Sequence, residues 1–145
     1  MSLATPADVL ARRSQLILNG DADGFADLCA PDAVIEFAFH GPPGTPARVA
    51  GREAIRAYSR QIVTSPLRLE AYEVAELYQT QDPEVVITEM RSKATLTTTG
   101  RSVTVTSLQI LRIRDGQIVL FRDFADPRIF EELAGELHLE ETDAG

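Results

Sequence analysis

Apolar positions near the start of the chain recur every three to four residues. Val9, Leu10, Leu16 and Ile17 mark one helical face. Thr5-Pro6 and Asp8 supply its start, as a cap, a first-turn proline and an acid at the positive end of the dipole. "NGDADG" ends this helix and opens a short second one, "FADLCA", which Pro31-Asp32 breaks. "AVIEFAF", Ala33 to Phe39, is rich in β-branched and aromatic residues and predicts a strand. "HGPPGTPARVAG", His40 to Gly51, predicts a loop without regular structure. Arg52 to Val63 returns to helical spacing, with Ile55, Tyr58 and Ile62 on one face. From Leu67 the pattern becomes β, with strands expected at Leu67–Thr80, Glu84–Thr97, Arg101–Arg114 and Gln117–Ala125. "TTTG" and "RDG" supply hairpin turns. "PRIFEELAG" predicts a closing helix, and residues 136–145 an acidic tail.

Helices first and a run of long strands afterwards predict an α+β fold, with helices on one face of a curved, mostly antiparallel sheet. Strand parity separates the two faces. On the last strand, Val119, Phe121, Asp123 and Ala125 share one face, and Ile118, Leu120, Arg122 and Phe124 the other. Both faces carry apolar residues, yet one set of helices covers one face. A face bearing Leu108, Ile110, Leu120 and Phe124 predicts a homodimer that buries it. The other reading is that the closing helix and tail cover it within one chain.

Composition narrows the partners. The 145 residues suit one domain, with a core expected over 6–133. A net charge of -8 argues against nucleic acid or an anionic membrane surface as partner. The single cysteine, Cys29, excludes an intrachain disulfide and any cysteine-based zinc spacing. No basic leader or long apolar run is present, so a cytoplasmic protein is expected. There is no phosphate-cradling glycine loop and no nucleophile elbow, and no cofactor is expected.

"LILNGDADGFADLCAPDAVIEF", "GREAIRAY" and "ILRIRDGQIVLFRDFADP" resemble the SnoaL-like branch of the nuclear transport factor two-like superfamily. The resemblance spans about Pro6 to Leu133. It implies a cone-shaped α+β barrel that wraps its helices, encloses a pocket and usually dimerises. It leaves function open, because this fold hosts isomerases, cyclases, hydrolases and non-catalytic binders. The tyrosine, base and oxyanion positions of ketosteroid isomerases fall on Arg13, Phe37 and Gln109, all changed. The Asp-Arg-Asp set of limonene epoxide hydrolases falls on Met90, Ser92 and Asp123, and their water clamp on Ile35 and Phe37. One acid of that set is retained. SnoaL-type polyketide cyclases use a pocket carboxylate that matches Asp123 loosely. Phenazine-biosynthesis proteins of the PhzA/B type share the "FRDFADP" ending.

The candidate catalytic group is therefore Asp123. In an apolar cavity its pKa would rise and suit it to general acid or base work near neutrality. Its alternative reading is a structural acid held by backbone amides or an arginine. Arg13 sits within the apolar stripe of the first helix, and either reaches the pocket or snorkels to its rim. Gln109 and Ser92 face inward by parity and suit a substrate carbonyl. Met90, Phe37, Phe39, Tyr58 and Phe121 would supply apolar lining for an apolar small-molecule ligand. His40 is expected in solvent near the mouth. Glu36, Glu89, Arg91 and Lys93 are expected to point outward. Two functions stay open: cofactor-free isomerisation or cyclisation, and a non-catalytic ligand-binding or dimerisation module.

Overall fold

A computed structural model describes residues 4–41, 47–129 and 131–132. Helix α1 spans Pro6–Leu18 and opens with a reciprocal capping box. Asp8 N–H donates to Thr5 Oγ1, and Thr5 N–H donates to the Asp8 carboxylate. Helix α2, Ala22–Leu28, is capped by Asp21, whose carboxylate accepts from Gly24 N–H at 2.8 Å. Helix α3, Arg52–Thr64, follows Gly51, whose φ of 93° suits glycine and aims its N–H at the Ala33 carbonyl. Arg56 of α3 bonds Asp23 and Asp27 of α2, holding the two helices together on their solvent side.

The strands are β1 (Cys29–Phe37), β2 (Ala47–Ala50), β3 (Leu67–Gln79), β4 (Val85–Leu96), β5 (Ser102–Arg114) and β6 (Gln117–Ala125). They form one sheet in the order β2-β1-β6-β5-β4-β3. Only β1 and β6 run parallel; the other neighbours are antiparallel. The sheet curves without closing, so the cone is open between β2 and β3. The β5–β6 turn is the two-residue Asp115-Gly116, both with positive φ, as a tight hairpin requires. Buried Val9, Leu10 and Leu16 of α1 and Ile55 of α3 pack with Ile35, Leu111, Ile113, Ile118 and Phe121 of the sheet.

The four long strands after α3 lie within one residue of their expected ends. Three local expectations fail. β1 starts at Cys29 rather than Ala33, running through Pro31 where its register against β6 is irregular, which is where a strand tolerates proline. It also stops at Phe37, so the chain has turned before Phe39. The expected loop carries β2, because Ala47–Ala50 finds backbone partners along Val34–Phe37. On β6 the parity holds from Leu120 onward but slips at Val119. Arg112 faces Leu120 while Ile113 faces Ile118, so Val119 is an extra, bulged residue and Ile118 is buried instead. Helical residues at 127–129 and 131–132 start the closing helix. Asp126 caps it, accepting from Arg128 N–H at 2.9 Å. The expected acidic tail lies outside the described residues.

The outer face matches its expected character. Glu36 bonds Arg122 at 2.8 Å and lies 3.4 Å from Arg48. Tyr78 donates to Glu89, and Lys93 lies within ion-pair range of Glu70. Leu108 is exposed, and Ile110, Leu120 and Phe124 are half-buried beside it. Homodimerisation through this face stays a proposal.

Candidate functional site

Sheet register builds the site. Phe37, Asp123, Gln109 and Thr88 lie side by side across β1, β6, β5 and β4. One row along, Val74 faces Met90 and Met90 faces Ser107; the next row is Tyr72, Ser92 and Val105. Helix α1 lies over this inner face and delivers Arg13 into it.

Arg13 is fully buried, so it does not snorkel to a rim. Its guanidinium lies over the Tyr72 ring at 5.0 Å and the Phe121 ring at 4.9 Å. Nη2 donates to Met90 Sδ at 3.4 Å, while Nε and Nη1 are buried with no partner. A buried donor left unpaired costs about 1–3 kcal/mol, more when charged, so folding alone does not favour this arrangement. Asp123 presents the complementary problem. Its Oδ1 is buried with no hydrogen-bond partner. Burial pushes its carboxyl from 3.8 up to about 6, against the pull of the Arg13 charge. Among the described residues no ion pair joins the two, so each stays available to a third group.

Gln109 is buried and committed. Nε2 donates to the Tyr72 hydroxyl at 3.1 Å, and Oε1 accepts from Thr88 Oγ1 at 3.5 Å. Ser92 is half-buried, on the row of Tyr72 and the inner face of Met90. Phe39 is not part of the interior. It is 58% exposed and meets Phe124 edge-on at 6.0 Å on the outside, because β1 ends two residues before it. His40 is half-buried behind β1, with its ring 5.9 Å from Phe37. Thr88 was not singled out from the sequence, although it lies two residues before Met90 and so shares the inner face of β4. Tyr72 was masked. Bulges between Leu69 and Ala71 and between Val74 and Glu76 make the inner set of β3 Leu67, Leu69, Tyr72, Val74 and Leu77, which no simple alternation picks out.

A cavity of about 530 Å³ opens between α1, α3 and the sheet, lined mainly by apolar groups such as Leu16, Phe25, Ile35, Ile62 and Leu69. Phe37, Tyr58 and Phe121 are in its wall; Asp123, Arg13, Gln109, Met90 and Ser92 are not. The three shared residues are the partition between cavity and charges. Phe37 is the lateral neighbour of Asp123, and Phe121 stacks on Arg13. Tyr58 lies 5.8 Å from Phe37, and its hydroxyl is raised by burial and then by the Asp123 charge. The arrangement offers proton transfer at Asp123 and cationic stabilisation at Arg13, one side chain beyond an apolar chamber. Among the described residues no group of three His, Cys, Asp or Glu could hold a metal ion. No described helix is long and apolar enough to cross a membrane.

Comparison with known proteins agrees with the fold. Residues 11–121 match the SnoaL-like domain. The chain is 38% identical over 129 residues to an uncharacterized PhzA/B-like protein of Pseudomonas aeruginosa, covering 88% of this chain and 89% of that one. A Bacillus subtilis structure, whose isomerase assignment is provisional, superposes with a TM-score of 0.79 at 26% identity, covering 89% and 91% of the two chains. IdmH of Streptomyces antibioticus, provisionally assigned as a polyketide cyclase, superposes with a TM-score of 0.69 at 28% identity, covering 91% and 99%.

Proposed function

The chain belongs to the SnoaL-like domain family, and from that premise we propose that it is a cofactor-free acid–base enzyme, an isomerase or cyclase, acting on an apolar small molecule. The observation that carries this reading is the pair of buried, opposite and unjoined charges, Asp123 Oδ1 and Arg13 Nε and Nη1. A structural acid would have its oxygens satisfied. In the proposed step the Asp123 carboxylate takes a proton from a carbon next to a carbonyl. The C–H electron pair forms the new C=C bond, and the carbonyl pair moves onto oxygen. The resulting Asp123 carboxylic acid returns the proton at another carbon for isomerisation. For cyclisation the enolate carbon attacks a second carbonyl of the same molecule, and the new alkoxide takes that proton. Either route regenerates the carboxylate without an added reagent. A carboxyl near 6 suits both directions of transfer at neutral pH.

Ligands would enter the apolar cavity and displace the Phe37, Tyr58 and Phe121 side chains enough to meet Asp123. The same partition favours a second reading, a ligand-binding protein that uses the cavity and never reaches the acid. The decisive experiment screens apolar carbonyl compounds by thermal shift and follows each hit by proton NMR in D₂O. Catalysis predicts deuterium incorporation next to the carbonyl with wild type and its loss in Asp123→Asn. Hits that bind both proteins equally and exchange with neither leave the binding reading. A cytoplasmic setting and a homodimer through the Leu108 and Phe124 face belong to the same proposal.

A further inference from the structure

The apolar lining of the cavity continues onto the surface. It reaches from the wall of Phe37, Tyr58 and Phe121 to the last turns of α1 and α3, where Leu18, Ile62 and Val63 belong to the lining and are exposed. The turn after α1 lies alongside the last turn of α3, because a side chain on Gly20 would meet Val63 Cγ1 at 3.7 Å. The other large apolar side chains exposed among the described residues are elsewhere. Phe39 meets Phe124, Tyr78 bonds Glu89, and Leu108 is on the outer sheet face. An apolar cluster left in water beside the mouth of an apolar chamber is a surface for a ligand that reaches past the mouth.

The polar groups around that mouth are mostly turned to other work. Ser65 Oγ donates to the Ile62 carbonyl at 2.7 Å and accepts from Leu67 N–H, and Thr97 Oγ1 donates to the Pro66 carbonyl at 3.0 Å. Asp21 caps α2, and Arg68 alternates with inward Leu67 and Leu69, so it belongs to the outer set of β3. Exposed Asn19 and the small Ser59 hydroxyl remain. At the inner end, Phe37 is held by ring contacts to both Tyr58 and His40, so a slender group parts that wall with the least displacement.

We propose that the cavity takes a ketone on a long unbranched hydrocarbon chain, with the carbonyl end at the Phe37, Tyr58 and Phe121 wall and the far end leaving across Leu18, Ile62 and Val63. The inward carbonyl rests on the reading of Asp123 as the proton-transfer group; the chain site rests on the cavity and its mouth. A chain that spans both surfaces gains affinity with each carbon added, until it passes the exposed cluster.

The test titrates 2-octanone, 2-decanone, 2-dodecanone and 2-tetradecanone by calorimetry, the least soluble by displacement of a shorter one. The caged ketone 2-adamantanone, with as many carbons as 2-decanone, is the compact control. Full burial of a CH₂ is worth about fourfold in affinity, so half-burial at the mouth is worth about twofold. Wild type is expected to gain at least about twofold per added CH₂ through the longest ketone, and to prefer 2-decanone to 2-adamantanone. Leu18→Ser with Val63→Ser should cost a factor that grows with chain length, roughly fivefold or more for 2-tetradecanone. A loss equal at every length, or affinities that level off at the same length in wild type and variant, overturns the proposal. Preference for 2-adamantanone overturns it in favour of a compact, enclosed ligand. A ligand-free dimer in sedimentation velocity that the two substitutions split overturns it in favour of a second copy covering the mouth. Length-dependent affinity without deuterium uptake beside the carbonyl in D₂O keeps the chain site and overturns the inward carbonyl together with the acid–base reading. Failure of every ketone to bind overturns the site.

Discussion

Replacing Asp123 by Asn separates a buried, poised carboxylate from a paired structural one. Burial raises the Asp123 carboxyl from 3.8 to about 6, and Arg13 only partly opposes it. Between those values the folded chain keeps a proton that the unfolded chain has already released. Stability therefore falls as pH rises from about 4 to about 6 and is level above. At about 1.4 kcal/mol per pH unit, the full loss is about 3 kcal/mol at pH 8. Asn carries no ionisation, so the variant escapes this loss. Any cost of burying its amide is the same at every pH. Urea unfolding of both proteins at intervals from pH 4 to pH 8 gives two curves. Their difference should move in favour of Asp123→Asn by up to about 3 kcal/mol, most of it complete by pH 6 to 7. A level difference would refute the raised carboxyl. A shift in favour of wild type as pH rises would show that Arg13 outweighs burial, with Asp123 acting as a structural counter-ion.

Other expectations follow from the same geometry. Arg13→Met removes the one charge that lowers the Asp123 carboxyl, so the pH window of that stability loss should extend above 6 in the same unfolding series. The Cys29 thiol is buried and pushed up to about 12, so a disulfide reagent should leave it unlabelled in the native protein at pH 8 and label it fully in urea. Leu111→Ala, at a position with no exposed surface in the middle of the sheet, should cost about 3 kcal/mol by urea unfolding. If the outer face is a homodimer contact, joint Leu108→Glu and Phe124→Glu substitution should convert a dimer into a folded monomer by sedimentation velocity, with unchanged far-ultraviolet circular dichroism.

The candidate site was partly legible in advance. Asp123 and Gln109 were found by period two, because β5 and β6 pair without interruption from Leu120 to Ala125. Arg13 stood out as a cation inside an apolar stripe. Its depth was not legible, since snorkelling and full burial produce the same sequence pattern. Phe39 was misplaced because β1 ends earlier than its apolar run. Tyr72 stayed hidden because bulges carry no residue signature of their own and shift the inward set of β3 by one residue each.

By itself the sequence determined the helices, the long strands, the α+β class and the inward faces of β4, β5 and β6 from Leu120 onward. Those depend on local periodicities of 3.6 and 2 and on caps and turns within a few residues of each other. Only the tertiary structure decided that Arg13 and Asp123 share one interior yet form no ion pair, that Tyr72 joins them, and that Phe37, Tyr58 and Phe121 separate them from the cavity. Those facts arise from contacts such as Arg13 with Met90 and Tyr72 with Gln109, made between residues far apart in the chain. Whether such partners meet is set by sheet register and helix placement, which the whole fold imposes at once.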